Sequence, residues 1–452
     1  MSNHNPADNS VFIDEVHGQI QRKVKLLQFT HSATKAAAVM LLAAILSLAI
    51  ANSGLHEPFL ELVHTKLGIV VGDWSLIMSA GHFINDLLMA LFFLLVGLEI
   101  KYEMTVGELT NVRNAVLPIL AACGGVLVPV LIFVLFNLGS PETIGGWGVP
   151  TATDIAFALG IMSLLGDRIP NGIKVFLSTL AVADDIIAIL VIAVFYGHTP
   201  DLAWLAGAGV ILALLLFLNH KHVYALSPYL ALGTVLWFCV YQSGVHSTIA
   251  GVLVAFAIPS GSQINLHNFG AWSRNAIKKL SHAYNPDEHI LAQKDYLHGV
   301  SALTSVASKV TPPAVKIEHG LYPWVYFLFL PLFALTNADV SLAGANLAEI
   351  LSSPVFLGVF LGLVVGKPAG ILLFSLMVVK TRLAPLPAGV TWRHMIGAAV
   401  LGGVGFTMAI FVSNLAFSVE AYVAAAKLAI LIASLCAGVI GFLLLYLEAK
   451  RS

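Results

Sequence analysis

Long apolar runs recur along almost the whole chain, and they constrain its fold more than any other feature. A helix needs roughly 20 mostly apolar residues to cross a bilayer. The runs predict twelve spans, at residues 33–53, 79–100, 115–137, 149–165, 172–197, 202–218, 223–241, 246–258, 321–337, 354–379, 396–417 and 422–447. We therefore predict an all-α polytopic membrane protein.

Composition excludes the main alternatives to a membrane protein. Of the 452 residues, 58% are hydrophobic and only 10% are charged, whereas soluble domains carry about 25% charged residues. Too few ionic groups remain to cover soluble domains of this total length, so a water-soluble enzyme is excluded. The formal net charge of −1 offers no basic surface for nucleic acid.

The positions of Lys and Arg predict that both termini lie in the cytoplasm, because cytoplasmic loops carry the excess of these residues. With that orientation, 20 of the 23 Lys and Arg residues lie on the cytoplasmic side and only Lys66 lies outside. Lys367 and Lys427 remain within the membrane. This distribution favours an even number of spans.

Three segments are predicted to lie outside the spans of the membrane domain, 33–452. Residues 1–32 form a polar cytoplasmic extension, in which the apolar spacing from Val11 to Leu27 allows an interfacial helix or a frayed tail. Residues 65–77, with β-branched residues around a Gly-Asp turn, predict an external β-hairpin. Residues 259–320 are predicted to form one long cytoplasmic loop.

Two adjacent carboxylates, Asp184 and Asp185, lie deep in the fifth span. A charge at the centre of a membrane helix costs about 2.5–3.5 kcal/mol, so its presence calls for an explanation. Neighbours on a helix point about 100° apart, so the two side chains could border one aqueous cavity while only one of them binds an ion. Hydrogen bonding to neighbouring helices is the structural alternative.

The fourth and eleventh spans are each predicted to be broken. Pro150, Thr151, Thr153 and Asp154 disturb the fourth, and the glycines of GGVG at 402–405 weaken the eleventh. Asp154 could instead be only a helix N-cap, and the glycines could serve helix packing. If spans three to five and ten to twelve are repeats, the breaks correspond, as in transporters with inverted repeats and a midplane site.

Two further ionisable residues lie within spans. Lys367 lies in the middle of the tenth span, where an ammonium group would be neutral or would pair with Asp184 or Asp154; the alternative is that its side chain reaches an interface. Asp86 in the second span would line a funnel or make a structural hydrogen bond.

These residues predict a site at which a small hard cation and protons compete for the same carboxylates, and hence a cation/proton antiporter or symporter. A passive cation channel is an alternative, but it does not explain paired breaks and a buried lysine. An intramembrane aspartyl protease needs two aspartates on separate helices, one of them in a Gly-x-Gly-Asp motif. The nearest string here, GVGF at 403–406, lacks that Asp.

Six strings resemble the NhaA family of bacterial sodium/proton antiporters, from about residue 33 to the C-terminus. They are NDLLMALFFLLVGLEIK at 85–101, ATDIAFALG at 152–160, DD at 184–185, SGVHSTIAG at 243–251, GKPAG at 366–370 and GFTM at 405–408. The resemblance implies a transporter of the bacterial inner membrane, without a cofactor, that extrudes Na⁺ or Li⁺ electrogenically for more than one proton. This family is a known example of inverted repeats, so the repeat argument and the resemblance are not independent.

The resemblance also assigns roles to residues of the predicted site. Asp184 and Asp185 would bind the cation and exchange protons, with Asp185 the direct sodium ligand. Asp184 would pair with Lys367 in the proton-loaded or inactive state. Asp154 and Lys367 would balance the dipole ends of the two broken helices, and Thr153 would lie beside the ion.

The resemblance further implies regulation by pH and a homodimer formed through the 65–77 hairpin. The pH response would involve a cytoplasmic funnel with Glu99, Lys101, Glu103, Glu318 and His319, together with His246, which could equally be only hydrogen-bonded. The chain departs from the family pattern in its longer 259–320 loop and at Tyr102 and Asp339.

Overall fold

The structure, a computed structural model, describes residues 14–30, 32–71, 74–197, 199–341 and 346–450, and it is almost entirely helical. The helices are α1 (Asp14–Thr30), α2 (Ala33–Ala51), α3 (His56–His64), α4 (Ala80–Thr105), α5 (Val112–Asn137), α6 (Pro141–Ile144), α7 (Ile155–Ser163), α8 (Asn171–Phe195), α9 (Leu202–His220), α10 (Leu226–Gln242), α11 (Thr248–Ala257), α12 (Leu266–Ala283), α13 (Lys294–Ser308), α14 (Pro313–Asn337), α15 (Leu347–Ser352), α16 (Pro354–Lys380), α17 (Trp392–Gly402), α18 (Phe406–Ala416) and α19 (Glu420–Ala449). The all-α polytopic prediction is confirmed.

Within the described residues, eight helices are long and apolar enough to cross a membrane: α2, α4, α5, α8, α9, α14, α16 and α19. The pair α17 and α18, bent by 43° at a short break, makes a ninth if it is counted as one span. The remaining predicted spans, the fourth, seventh and eighth, fall on the shorter helices α7, α10 and α11. Every predicted span therefore coincides with a helix, while length and composition alone identify eight or nine.

The predicted external hairpin is present as two antiparallel strands, β1 (Lys66–Val71) and β2 (Trp74–Ser79). Lys66 pairs with Ser79 and Val71 pairs with Trp74. The hairpin extends two residues past the predicted end, and its predicted turn, Gly72-Asp73, lies outside the described residues.

The N-terminal extension contains α1, so the helical alternative holds from Asp14 to Thr30, while Val11 and Phe12 lie outside the described ranges. The ring of Phe29, near the end of α1, lies 5.4 Å from that of Phe327 on α14. This contact connects the extension to the membrane domain.

The 259–320 segment differs from the predicted single loop. It contains α12 and α13, and the ninth span begins at Pro313 rather than at 321. Proline is favoured in the first turn of a helix, where its missing N–H is not needed. Because polar residues occur from Lys316 to His319, a prediction based on apolar runs places the start of this helix too late in the chain.

Helices α5 and α16 pack closely against each other at the centre of the molecule. A Cβ on Gly370 would lie 2.0 Å from the carbonyl oxygen of Gly124, and one on Gly124 would lie 2.3 Å from that of Gly370. Only glycine permits this approach of the two backbones. A π-helical turn, Gly362–Gly366, comes directly before Lys367 on α16, and such turns often lie at functional sites.

Candidate ion-binding site

The two predicted helix breaks face each other at the centre of the fold. A 3₁₀ segment, Gly145–Thr151, comes before the first break and α7 follows it. The second break separates α17 from α18. The backbone N–H of Asp154 donates to the carbonyl of Val404 at 2.8 Å, and the hydroxyl of Thr153 donates to the carbonyl of Gly402 at 3.0 Å. Both spans are therefore interrupted as predicted, and the interruptions are hydrogen-bonded to each other.

Asp154 caps two helices at once. Its Oδ1 accepts from the N–H of Phe157 at 3.0 Å at the start of α7. Its Oδ2 accepts from the N–H of Thr407 at 3.2 Å and from the Thr407 hydroxyl at 2.5 Å, at the start of α18. Helix N-termini carry partial positive charge, so this one buried carboxylate stabilises both of them. The hydrogen bonds that make Asp154 an N-cap are therefore also the contacts through which it would balance the helix dipoles.

We expect Asp154→Ala to lower stability by about 2–4 kcal/mol, because two helices lose a cap and buried donors lose their acceptor. The measurement is the apparent melting midpoint of the purified protein, compared at one scan rate. Asp201 is a matched control, since it caps the exposed start of α9 by accepting from Ala203 at 2.8 Å. A midpoint for Asp154→Ala no lower than that for Asp201→Ala would contradict the double cap.

Lys367 is fully buried and pairs with Asp184. Its Nζ lies 2.6 Å from Asp184 Oδ2, with the two side chains 0% and 1% exposed. The same ammonium donates to the carbonyl of Thr151, where the 3₁₀ segment ends, and the carbonyl end of a helix carries partial negative charge. Of the two partners left open by the sequence, the structure selects Asp184, and the interfacial alternative for Lys367 is wrong.

The carboxylates of Asp184 and Asp185 are incompletely hydrogen-bonded. Oδ1 of Asp184 has no hydrogen-bond partner among the described residues. Asp185 is 2% exposed, and the described part of the chain gives it no hydrogen bond or ion pair. Nearly all buried polar groups in proteins are paired, so these free oxygens require an explanation. Carboxylate oxygens are ligands that hard cations prefer.

Thr153 supplies further oxygen near this pair, since it interacts with Asp184. The described residues contain no group of three or more His, Cys, Asp or Glu side chains that could hold a metal ion. The oxygens gathered at the breaks are thus two carboxylates, one hydroxyl and backbone carbonyls.

A cleft lies at the N-terminal end of α8. It is lined by Ala33, Glu103, Leu159, Met162, Ser163, Lys174, Val175, Ser178 and Thr179. Thr179 comes five residues before Asp184 on α8, which is about 7.5 Å along the helix axis. Glu103, a predicted funnel residue, therefore lines the same cleft as Thr179.

The other predicted regulatory residues on this side divide into two groups. The carboxylate of Glu99 interacts with those of Glu103 and Glu318, and His319 interacts with Glu318. The ammonium of Lys101 instead donates to carbonyls at the C-terminal end of α11, those of Ala255 at 3.4 Å, Phe256 at 2.9 Å and Ile258. Lys101 thus caps a helix.

His246 and Asp86 lie near the end of α11 opposite to the one that Lys101 contacts, apart from the other predicted regulatory residues. His246 Nε2 lies 2.5 Å from the carbonyl oxygen of Tyr196, and the Ser247 hydroxyl donates to Asp86 Oδ1 at 3.2 Å. The ten residues of α11, about 15 Å of helix, separate His246 from the carbonyls that Lys101 caps. The hydrogen-bonded alternative for His246 is the one that the structure supports.

Two polar features near Asn337 were not predicted from the sequence: a cluster of amide side chains and an ion pair. Its amide bonds reciprocally with Asn85, at 2.7 and 3.2 Å, and accepts from Asn414 at 2.7 Å. Two residues later, Asp339 pairs with Lys427 at 2.8 Å. This pair accounts for both the unusual Asp339 and the lysine left in the twelfth span. The sequence did contain a signal for the ion pair, because Asp339 and Lys427 are each a lone charge within or beside an apolar run.

The chain is similar to known sodium/proton antiporters along most of its length. Residues 27–445 match the family profile described as Na⁺/H⁺ antiporter 1. The chain is 41% identical to the Na(+)/H(+) antiporter NhaA of Wolinella succinogenes, over 95% of this chain and 94% of that protein. It is 43% identical to Na(+)/H(+) antiporter NhaA 1 of Saccharophagus degradans, over 93% and 90%. It is 44% identical to the NhaA of Oleidesulfovibrio alaskensis, over 90% of each.

A profile match over most of the chain, relatives above 40% identity and a bundle of membrane-length helices around two facing breaks all agree. The chain is a multi-pass membrane transporter, not an enzyme, and it belongs to the NhaA family of Na⁺/H⁺ antiporters.

Proposed function

We propose that this protein extrudes Na⁺, and also Li⁺, from the cytoplasm in exchange for external protons. The observation that carries the proposal is Asp185, a buried carboxylate without a hydrogen bond among the described residues, next to the Asp184–Lys367 ion pair. A hard cation and protons compete for such oxygens, because each neutralises the same negative charge. The site therefore holds cation or protons in turn, which is what exchange requires.

The Asp184–Lys367 pair supports electrogenic exchange with more than one proton per cation. In the proton-loaded form, Lys367 holds a proton and neutralises Asp184, while Asp185 holds a second proton. When Na⁺ binds to both carboxylates, both protons leave. Two protons entering for one Na⁺ leaving moves one net charge inward in each cycle.

Alternating access to the site is supported by the different contacts at its two sides. The cleft lined by Glu103, Lys174 and Thr179 approaches from the predicted cytoplasmic side. On the other side, the Asn85–Asn337–Asn414 contacts connect α4 and α14 to α18, the second half of a broken span. We propose that these contacts are made in an inward-facing state and break when the site opens outward.

Regulation by pH is proposed for the carboxylates of Glu99, Glu103 and Glu318, with His319 and Lys101 nearby. Three carboxylates that interact repel one another when all are charged, so protonation changes the packing of α4 against α14. Histidine titrates near neutral pH. His246 would act together with Asp86, near the other end of α11.

We further propose a bacterial inner-membrane location with both termini cytoplasmic, and a homodimer through the β1–β2 hairpin. Leu67 and Ile77, on opposite strands, are 47% and 52% exposed. A two-stranded ribbon also leaves unpaired edge groups that favour pairing with a second copy.

The test is sodium-induced proton movement in vesicles that contain the purified protein and hold an acid interior. We expect the interior to become alkaline when Na⁺ or Li⁺ is added, with a rate that varies across the pH range, and choline chloride to have no effect. Vesicles without protein are the control. Sodium flux that is independent of a proton gradient would refute exchange and favour a passive channel.

A further inference from the structure

The segment between α11 and α14 contains two helices, α12 and α13, that have no place in the transport mechanism. Neither helix contains a buried residue. The two pack on each other, with Leu280 of α12 against Gly299 of α13. Two short helices without a core are marginal in water, so this hairpin needs a further surface to support it.

The base of the hairpin is fixed at the edge of the membrane domain. The N–H of Ala314 donates to the carbonyl of Pro259 at 3.2 Å, and that of Gln263 donates to the carbonyl of Lys309 at 3.4 Å. Helix α12 begins at Leu266, three residues after Gln263, which is at most about 10 Å of chain. The start of α12 is therefore held close to the points where α11 ends and α14 begins.

One face of α12 is apolar and accessible. At 100° per residue, Leu266, Phe269 and Ile277 fall within about 80° of one another. Leu266 is 58% exposed and Ile277 is 56% exposed. The ring of Phe269 stacks on that of Trp272 at 6.1 Å. Leu280 lies on the same face, about 40° from Leu266, and packs against Gly299 of α13. Leu266 and Ile277 are the large apolar side chains of this face that α13 leaves exposed.

The charges of α12 complement an anionic surface. The helix carries Arg274, Lys278 and Lys279 and no acidic residue. On the helical wheel, Arg274 and Lys278 lie on one side of the apolar face and Lys279 lies on the other. Apolar residues flanked by basic ones are typical of helices that lie in a membrane interface and bind anionic lipids.

We propose that α12 is a lipid-binding element, which lies on the leaflet at which α11 ends and α14 begins and binds anionic phospholipid headgroups through Arg274, Lys278 and Lys279. The exposed apolar residues Leu266 and Ile277 enter the headgroup region, and α13 covers the adjoining part of the helix surface at Leu280. The proposal rests on the orientation proposed above only for identifying that leaflet as cytoplasmic, and it does not depend on which ions are transported.

The test is amide hydrogen exchange of the full chain in nanodiscs of phosphatidylcholine, with and without phosphatidylglycerol. We expect peptides from 266–283 to exchange at least about tenfold more slowly with phosphatidylglycerol, because each basic group adds severalfold to binding at an anionic surface. High salt should remove this difference through screening.

Two sets of variants test the basic residues and the apolar residues of α12 separately. Charge reversal by Arg274→Glu, Lys278→Glu and Lys279→Glu together should abolish the effect of phosphatidylglycerol, whereas Lys66→Glu, on the β-hairpin, should preserve it. Leu266→Ser with Ile277→Ser should speed exchange in both lipids. Slow exchange of peptides from α8 shows that each variant is folded.

Four outcomes would overturn the proposal. Equal exchange with and without phosphatidylglycerol, or a difference that persists in the triple variant, would exclude anionic lipid as the ligand. Slow exchange of α12 in detergent without lipid would indicate a second copy of the chain as the covering surface. Fast exchange under every condition would indicate a partner that purification removes.

Discussion

Asp185→Asn is expected to abolish sodium-induced and lithium-induced alkalinisation of acid-loaded vesicles. The asparagine side chain preserves the shape of the residue but can neither release a proton nor carry the negative charge that holds a cation. Because Asp185 is buried and makes no hydrogen bond within the described residues, the substitution removes no contact on which folding depends. The measurement is the initial rate of proton movement after addition of each ion.

Asp201→Asn is the matched control for this prediction, because it makes the same chemical change at an exposed helix cap. It should leave the rate close to that of the unmodified protein. Full activity of Asp185→Asn would remove the proposed site. An equal loss in both variants would attribute the effect to a general disturbance.

The second large effect is expected from Lys367→Ala, which should reduce the charge moved for each sodium ion toward zero. A buried carboxylate that loses its counter-ion takes up a proton rather than remaining charged. We expect Asp184 to keep that proton throughout the cycle, so that Na⁺ binds to Asp185 alone and displaces one proton. The exchange of one proton for one Na⁺ then moves no net charge. The measurement is transient current on a supported membrane, divided by sodium flux in the same preparation.

Lys427→Ala provides the control, because Lys427 also pairs with an aspartate, but at the rim of the bundle, where its side chain is 10% exposed. Its ratio of charge to sodium should not change. If Lys367→Ala fails to accumulate, Lys367→Gln retains a donor for Thr151 and Asp184 while losing the charge. An unchanged ratio in the expressed Lys367 variant would contradict the role of the ion pair.

The spans and breaks were predictable because a membrane imposes simple local rules. Backbone groups in lipid must bond within their own segment, so apolar runs become helices. Pro150 and the glycines around 403 weaken those helices wherever they occur. The same rules did not predict the start of α14 at Pro313, because the first turns of this helix contain polar residues and do not form an apolar run.

The role of His246 in the pH response stays a prediction, and the sequence left its environment open. The hydrogen bond to Tyr196 then settled its environment. The Asp339–Lys427 pair was missed because neither residue has a partner close to it in sequence.

Neighbouring residues and the cost of placing charge in lipid were enough to predict that this chain spans a membrane, where its helices break, and which few ionisable residues lie inside. They could not predict that Lys367 pairs with Asp184 rather than Asp154, or that Asp154 caps α18 through Thr407, 253 positions away. Such pairings depend on distances between helices that no local rule fixes. The physical reason is that packing around Gly124 and Gly370, not residue type, brings these groups within bonding distance.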